Sequence, residues 1–231
     1  MIRIDDSKKM KEYISKYGID EIFNENMKSF MELRFFKKNE HIWRQGEPIK
    51  CLYFFIEGKA KVYTTLSNGK SLLLCFYQKF KVFGDLELMN GETASASVQA
   101  IEDTYCIIIP LEKVETYLLN DVKFLYFIGH SLSEKLSQSS KNSSINLLYP
   151  LENRLASYVL VTSQIATDNE SNLLVFNENL TETSELLGTS YRHLLRTLNS
   201  LCQKNILKKR SNYFEVIDEK HLKKLAVDAY Q

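Results

Sequence analysis

The stretch NLTETSELLGTSYRHLLRTLNSLCQKNIL, residues 179–207, carries the most specific structural signal in the chain. Asn179 and Glu182 form an N-x-x-E capping box, in which each side chain can accept a hydrogen bond from a backbone amide at the start of a helix. Gly188 interrupts the helical pattern and can adopt the left-handed conformation of a tight turn between helices. Ser190 follows as a cap for a second helix. The spacing therefore predicts a helix-turn-helix.

The second predicted helix, residues 190–203, has two contrasting faces. Leucines at helical spacing predict its buried face, namely Leu194, Leu198 and Leu201. The opposite face carries Arg192 and Arg196. A recognition helix places such side chains, from its N-terminal half, against base edges in the major groove of DNA. We therefore expect residues 190–203 to be the recognition helix.

Charge supports this interpretation locally, although the formal net charge of the whole chain is only +1. Between Glu185 and Glu215 there are six basic residues and no acidic one, which is the electrostatic footprint of a phosphate-binding surface. Residues 206–217 are expected to form a small β-hairpin, the wing, whose basic start touches the DNA backbone. The residues expected to contact DNA are Thr189, Ser190, Tyr191, Arg192, Arg196, Lys208, Lys209 and Arg210. The alternative is a winged domain for protein contacts, with the basic run as a solvated face.

The composition is that of a globular chain of one large or two ordinary domains, with 231 residues, 44% apolar and 26% charged. The four cysteines lie far apart without a C-x-x-C pair, which argues against a zinc knuckle or a disulfide framework. The N-terminus lacks the apolar segment of a signal peptide, and no apolar run approaches the ~18 residues of a membrane-spanning helix. We expect a soluble, cytoplasmic protein without a membrane partner.

The N-terminal part is expected to be an antiparallel β-structure. Five of the eight glycines fall between residues 46 and 91 and separate short runs rich in aromatic and β-branched residues. Short strands at this spacing predict a barrel or sandwich over residues 30–110. Asn68 and Gly69 are expected to form a type I′ hairpin turn, in which both central residues have positive φ.

A longer helical pattern begins at Val122 and ends before Pro150. Its apolar stripe is expected to form a dimer seam at coiled-coil spacing and consists of Leu125, Ile128, Leu132 and Leu136. Residues 137–149 are rich in serine and asparagine, which weaken a helix. One hypothesis is that an effector orders this segment and so orients the recognition helices. The alternative is the polar end of a stable helix.

The chain resembles the CRP/FNR transcription regulators in the order of its parts: a glycine-punctuated β-roll with the string FGDLEL at 83–88, a long helix and a winged helix-turn-helix. The resemblance is greatest to the YeiL-type members of this family. It rests on TLSNGKSLL at 65–73, LLND at 118–121, PLENRLASYVL at 150–160 and LLGTSYRHLL at 186–195.

The resemblance implies an α+β fold in three parts. These are a cyclic-nucleotide-binding-like antiparallel β-roll of the jelly-roll type (residues 1–120), a dimerisation helix with a hinge (121–149) and a winged helix-turn-helix domain (150–231). It further implies a homodimer that binds a palindromic operator on double-stranded DNA, with RNA polymerase as a partner. Where familiar members carry a glutamate this chain has Arg192, so we expect an operator of different sequence. Arg196 matches the guanine-contacting arginine of the family.

The β-roll departs from the members that bind cyclic nucleotides. In them a glycine and a glutamate are followed by an arginine-serine pair that holds the phosphate, whereas this chain has Gly84, Asp85, Ala94 and Ser95. A buried phosphate needs a cation or several donors, so a cyclic nucleotide is not expected. The candidate effector residues are Gly84, Asp85, Ser95, Ser139 and Ser140. The alternative is a roll that keeps the glycine and the acid for folding only.

Other cofactors are not indicated by the sequence. Residues 1–50 contain no cysteine to hold an iron–sulfur cluster, and the histidines are scattered. Cys51, Cys75 and Cys106 are expected in the core, and a redox role for them stays open. Trp43 either lines an effector pocket or belongs to the core.

Three functions compete on these grounds. The first is a dimeric DNA-binding regulator gated by an effector or a redox signal in the β-roll. The second is a constitutive DNA-binding regulator whose roll only dimerises. The third, a cupin-like enzyme fused to a DNA domain, needs a convergent metal or acid–base set that the sequence does not offer. We therefore expect a protein that is not an enzyme.

Overall fold

The computed structural model describes residues 1–168 and 171–227. The strands are β1 (Ile2–Ile4), β2 (Glu32–Phe36), β3 (His41–Trp43), β4 (Cys51–Glu57), β5 (Ala60–Thr65), β6 (Ser71–Tyr77), β7 (Lys81–Phe83), β8 (Ser97–Ala100), β9 (Thr104–Pro110), β10 (Gln164–Asp168), β11 (Ser171–Phe176), β12 (Leu207–Lys209) and β13 (Phe214–Val216). The helices are α1 (Ser7–Tyr17), α2 (Asp85–Asn90), α3 (Leu111–Tyr117), α4 (Val122–Leu148), α5 (Leu151–Thr162), α6 (Leu180–Leu186), α7 (Tyr191–Gln203) and α8 (Glu219–Leu225). None of these helices is long and apolar enough to span a membrane.

The chain divides into two compact units. The first comprises Met1–Thr64 and Phe76–Gln138, and the second comprises Thr65–Cys75 and Ser139–Gln231. The division falls inside α4 and assigns the hairpin between β5 and β6 to the second unit. The domain limits at residues 120 and 149 stay a prediction.

Two antiparallel sheets make up the β-roll, with strand orders β1-β2-β9-β4-β7 and β3-β8-β5-β6. The antiparallel pairing of their strands confirms the predicted antiparallel β-structure, with the short helix α2 inside the range predicted as strands. In the first sheet, Phe54 and Ile107 are paired across β4 and β9 and belong to a core cluster with Ile14 of α1 and Phe124 of α4. Burial of this apolar area is the main stabilising term of the unit.

The hairpin at residues 66–70 turns where the sequence predicts, but with a different geometry. Gly69 has a φ of 79°, but Asn68 does not have the positive φ that a type I′ turn requires. In the described chain, Asn39 and Asn205 are the only non-glycine residues with positive φ. The Gly69 amide donates to the Leu66 carbonyl and the Leu66 amide to the Lys70 carbonyl, both at 2.8 Å. This is a three-residue connection with glycine at the left-handed position, so the predicted type I′ turn is wrong.

The apolar stripe predicted as the dimer seam of α4 mostly contacts its own chain. Ile128 is 1% exposed in the core of the first unit, and Leu125 and Leu132 pack against that core, while Leu136 is 70% exposed. A long amphipathic helix has two edges with apolar residues, and spacing alone does not say which edge packs on the neighbouring sheet. Ile128 is therefore buried within its own chain and does not form a dimer seam, while the seam stays a prediction at Leu125, Leu132 and Leu136.

In the second unit, strands β10-β11-β13-β12 form one antiparallel sheet beside helices α5 to α8. The predicted hairpin at 206–217 is formed by β12 and β13. Tyr158 of α5 packs edge-on against Phe176 of β11, with ring centroids 6.2 Å apart, and Phe176 lies next to Phe214 of β13. These contacts join the helices to the wing sheet.

Candidate nucleic-acid interface and effector site

The turn between α6 and α7 is built from local hydrogen bonds. The Asn179 side chain accepts the Thr181 and Glu182 amides at 2.9 and 3.1 Å and so caps α6. Gly188, with a φ of 60°, follows the C-cap residue Leu187.

Two further bonds close the end of α6. The Gly188 amide donates to the Glu185 carbonyl at 2.8 Å, and the Thr189 amide donates to the Ser184 carbonyl at 2.9 Å. This pair of bonds is the Schellman motif, in which a glycine terminates a helix. The predicted turn glycine thus has the conformation that the sequence analysis required.

Helix α7 buries one face and exposes the other. Ser190 caps it by accepting the His193 amide at 3.2 Å. The three predicted leucines, Leu194, Leu198 and Leu201, have no solvent exposure. Arg192 and Arg196 are exposed on the opposite face, as the recognition-helix hypothesis requires, and Tyr191 is exposed at the start of the helix. Thr189, also on the predicted interface, lies with its hydroxyl 3.3 Å from Nδ1 of His193.

Two of the six basic residues in this region have acidic partners. Lys204 pairs with Glu152 at 2.6 Å, and the Arg210 guanidinium pairs with Glu215, which is 8% exposed. Arg210 therefore braces the wing through an ion pair across its hairpin. Within residues 1–168 and 171–227, no carboxylate pairs with the other four, which are Arg192, Arg196, Lys208 and Lys209.

In the first unit, Gly84 and Asp85 shape the start of α2. Gly84 has a φ of 81°, and a Cβ there would lie 2.8 Å from the Cys51 carbonyl oxygen, so a side chain does not fit. Asp85 is 1% exposed and accepts hydrogen bonds from Ser131 Oγ at 3.0 Å and from Lys135 Nζ at 2.5 Å. The acid thus ties α2 to α4.

Ser95 is occupied by an acidic residue of the same chain. Its amide and its Oγ both donate to Glu87 Oε1, at 3.1 and 3.2 Å. Glu87 is 8% exposed. Glu87 is not among the site residues predicted from the sequence. An acidic residue in a segment without an arginine could have indicated that a carboxylate, and not a phosphate, accepts the hydrogen bonds of Ser95. A phosphate placed at Ser95 has to displace this carboxylate.

Aromatic side chains fill the interior of the β-roll. Trp43 is 7% exposed and donates its indole N–H to the Ala96 carbonyl at 3.0 Å. Its ring lies 5.1 Å from that of Tyr53 and 5.4 Å from that of Phe83. Burial raises the pKa of Tyr53 well above its ordinary value. Trp43 therefore belongs to the core, one of the two places that its sequence allowed.

The remaining candidate effector residues, Ser139 and Ser140, are exposed on α4 in the second unit. The Ser144 hydroxyl donates to the Ser140 carbonyl at 3.0 Å, a contact within the helix. Gly84, Asp85 and Ser95 belong to the first unit.

None of the four cysteines, which all lie in the described residues, forms a disulfide bond. Cys106 is fully buried, and burial raises its pKa far above the ordinary value, so its thiolate population is low. Burial also raises the pKa of Cys51, which is partly buried together with Cys75. In the part of the chain that the structure describes, no group of three His, Cys, Asp or Glu side chains could hold a metal ion.

Comparison with known proteins agrees with this arrangement. Residues 33–121 match the family profile of the cyclic nucleotide-binding domain. The chain is 29% identical over 215 residues to the regulatory protein YeiL of Escherichia coli O157:H7. The aligned residues cover 93% of this chain and 94% of that protein.

Two solved structures share the fold. A CRP-family transcriptional regulator from Thermus thermophilus has a TM-score of 0.66 at 18% identity, over 86% of this chain and 98% of that one. A CRP/FNR-family regulator from Eubacterium rectale has a TM-score of 0.71 at 15% identity, over 96% and 95%.

A cyclic-nucleotide-binding-type roll followed by a winged helix-turn-helix defines a DNA-binding transcription regulator. The chain is similar in sequence to the regulatory protein YeiL and in fold to regulators of the CRP/FNR family. Other curated relatives include CRP-like cAMP-activated global transcriptional regulators from Mycobacterium tuberculosis, 19% identical over 83% of this chain and 86% of those proteins.

Proposed function

We propose that this protein is a homodimeric, sequence-specific DNA-binding regulator that reads a palindromic operator with α7. The observation that carries the proposal is the pair of exposed arginines on α7, Arg192 and Arg196, opposite a fully buried leucine face. An arginine donates two hydrogen bonds to O6 and N7 of guanine, which is the commonest specific contact in the major groove. Thr189, Ser190 and Tyr191 lie beside them at the start of the helix.

The wing supplies contacts that do not depend on sequence. Lys208 and Lys209 are exposed on β12 and have no acidic partner in the described chain. They can contact phosphates and release counterions, which makes binding salt-dependent. Arg210 forms an ion pair with Glu215. We therefore expect Arg210 to hold the wing hairpin against the DNA backbone rather than to supply an unpaired positive charge.

A second copy of the chain is proposed to pack on the exposed edge of α4. Residues on this edge are spaced alternately by four and three, the heptad pattern of a coiled-coil seam, and are Val122, Tyr126, Gly129, Ser133 and Leu136. Tyr126 and Leu136 are 77% and 70% exposed, which is unusual for such large side chains on one stripe. Gly129 and Ser133 between them leave room for close approach of a partner helix.

The seam is tested by replacing Leu136 with glutamate and measuring the mass of the full chain by analytical ultracentrifugation. A charge in the seam should shift the protein towards monomer, because a buried unpaired carboxylate is costly. Ser137→Glu adds the same charge one residue off the seam and should leave the dimer intact. A dimer that resists Leu136→Glu as well as Ser137→Glu rules out this seam.

The hairpin between β5 and β6 is proposed as the route by which a signal in the roll reaches the DNA-binding part. Asn142 of α4 is 4% exposed, and its side-chain amide donates to the Leu74 carbonyl of that hairpin at 2.8 Å. A Cβ at Gly188 would lie 3.6 Å from Cδ1 of Leu72, so the hairpin also approaches the helix-turn-helix turn. Movement of the hairpin would therefore act on the serine-rich segment 137–149 and on the turn together.

A constitutive regulator is the second candidate, and one observation favours it. Glu87 accepts both hydrogen bonds that Ser95 can donate, so the roll already satisfies the group that a phosphate would use. A native mass spectrum of the full chain, followed by a denaturing one, separates the candidates. An added mass lost on denaturation supports a bound effector. An unmodified dimer excludes a permanently bound cofactor and leaves a weakly held effector, a thiol switch or no effector.

The DNA-binding function itself is tested by selecting duplexes from a random library with the full chain. We expect enrichment of a two-fold symmetric sequence. Absence of any enriched sequence at low salt would reject the proposal.

A further inference from the structure

One side chain outside the helix-turn-helix is hydrogen-bonded to its turn. Arg154 of α5 donates from Nη1 to the Leu187 carbonyl oxygen at 2.7 Å. Leu187 is the C-cap of α6 and is fully buried. Among residues 1–168 and 171–227, no carboxylate pairs with Arg154, and its Nε is buried without a hydrogen-bond partner. This guanidinium is therefore directed at the backbone of the turn rather than at an acidic residue.

The local hydrogen bonds of the turn make this contact informative. The Schellman pair uses the carbonyls of Ser184 and Glu185, and the Leu187 carbonyl accepts from Arg154. Carbonyls at a helix C-terminus carry partial negative charge, and a cation that bonds one of them gains a charge-assisted hydrogen bond. The bond thus joins α5 to the end of α6.

The position of this bond bears on α7. Helix α6 ends at Leu186 and α7 begins at Tyr191, so Leu187 is the first of the few residues that connect them. The residues after it are also tied to α6, because the amides of Gly188 and Thr189 donate to the carbonyls of Glu185 and Ser184. A fixed point immediately before the glycine therefore limits the direction that α7 can take.

We propose that Arg154 is a positioning residue for the recognition helix, acting through Leu187 without touching DNA. The proposal rests on the DNA-binding function proposed above. Base contacts require a fixed orientation of α7, whereas phosphate contacts depend mainly on the number of nearby cations. Loss of Arg154 should therefore reduce the preference for the operator more than it reduces general affinity for DNA.

The test compares Arg154→Met and Arg154→Lys in the full chain with Lys220→Met, which removes an exposed charge from α8 in the same unit. The wild-type chain first selects its preferred duplex from a random library. Each variant is then titrated with that duplex and with a scrambled one over a series of salt concentrations. Hydrogen exchange of the turn, residues 187–191, is measured on the same proteins without DNA.

Arg154→Met is expected to lose about tenfold in affinity for the selected duplex, as for a lost charged hydrogen bond. Its affinity for scrambled DNA and its salt slope should stay near the wild-type values, and its turn should exchange faster. Arg154→Lys should recover most of the preference, and Lys220→Met should match the wild type in preference and exchange. If Arg154→Met melts below the assay temperature, Arg154→Gln, which keeps a neutral donor, replaces it.

An unchanged ratio of the two affinities in a folded Arg154→Met chain overturns the inference. An equal loss on both duplexes overturns it as well, since that indicates a general loss of structure. If the wild type selects no sequence, the proposed function fails. The exchange measurement then still tests whether Arg154 holds the turn at residues 187–191 in place. Unchanged exchange at 187–191 then overturns the inference, and faster exchange confined to the turn supports it.

Discussion

The arginine-bearing face of α7 and the β-roll around Ser95 differ in whether their polar groups have partners within the chain. On α7, Arg192 and Arg196 are exposed, and no carboxylate of the described chain pairs with them. In the roll, Ser95 is held by Glu87, and the carboxylate of Asp85 is held from α4. Unpaired cations can exchange water and counterions for phosphates and bases, whereas an internally paired group must first be released. Free hydrogen-bonding capacity, rather than position in a motif, distinguishes a surface ready for a ligand from one that is already satisfied.

Breaking the internal pairing of the roll should have the largest effect. Lys135→Met leaves Asp85, which is 1% exposed, without its cationic partner. Removing one member of a buried pair should lower the free energy of unfolding by about 3 kcal/mol. Urea unfolding measures the change, with Lys123→Met at an exposed position of the same helix as the control. Similar midpoints for the two variants would contradict the structural role of the pair.

The unpaired side of the comparison is tested by Arg196→Ala. The variant should lose about 1–3 kcal/mol of operator binding and relax specificity at one base pair of each half-site. Lys209→Ala, which removes a wing cation, should weaken operator and random DNA about equally. Titrations of both duplexes at several salt concentrations separate the two kinds of contact. If Arg196→Ala leaves both affinities unchanged, the face of α7 that carries Arg196 does not lie in the DNA groove.

Glu87→Ala sharpens the assignment of the roll as a satisfied site. The change removes the acceptor of both Ser95 hydrogen bonds, and the free energy of unfolding should fall by about 1–2 kcal/mol. Glu87→Gln keeps a carbonyl acceptor and should cost less. Glu92→Ala, at an exposed position close by, serves as the control in the same urea titrations. Equal free energies of unfolding for Glu87→Ala and Glu92→Ala would mean that the hydrogen bonds between Glu87 and Ser95 do not stabilise the roll and that Ser95 is available to a ligand.

A smaller, pH-dependent effect is expected at the start of α4. Burial alone would raise the pKa of Asp121, but hydrogen bonds donated by Asn24, Phe124 and Lys123 outweigh it and hold the pKa below its ordinary value. A group with a lowered folded-state pKa stabilises the protein above its unfolded pKa, and the contribution is lost as the pH falls through the folded value. The capping contribution is about 1 kcal/mol.

Urea unfolding of the wild type and of Asp121→Ala at about pH 6 and about pH 3 checks this sign, since a free aspartate titrates near ~3.9. The difference between the two proteins should be larger at the higher pH. A difference that grows on acidification would contradict the lowered pKa.

Much of the DNA-binding part is predictable because its signals are local. The cap at Asn179, the left-handed Gly188 and the leucine face of α7 depend on residues within a few positions of one another, and all are found in the structure. The roll is predictable only in outline. Its short strands are predicted from runs of aromatic and β-branched residues between glycines, but the Asn68-Gly69 dipeptide alone does not determine the geometry of the turn.

The order of the parts, the buried face of α7 and the cluster of basic residues follow from the amino-acid sequence, since spacing along one helix or hairpin sets which side chains share a face. Folding in three dimensions sets which edge of α4 packs on its own sheet and which charges are neutralised. Examples are the pairs Arg210 with Glu215, Ser95 with Glu87, and Arg154 with the Leu187 carbonyl. Strand register and helix packing set which polar side chains come within hydrogen-bond distance of each other. The spacing of residues along the chain does not specify these distances.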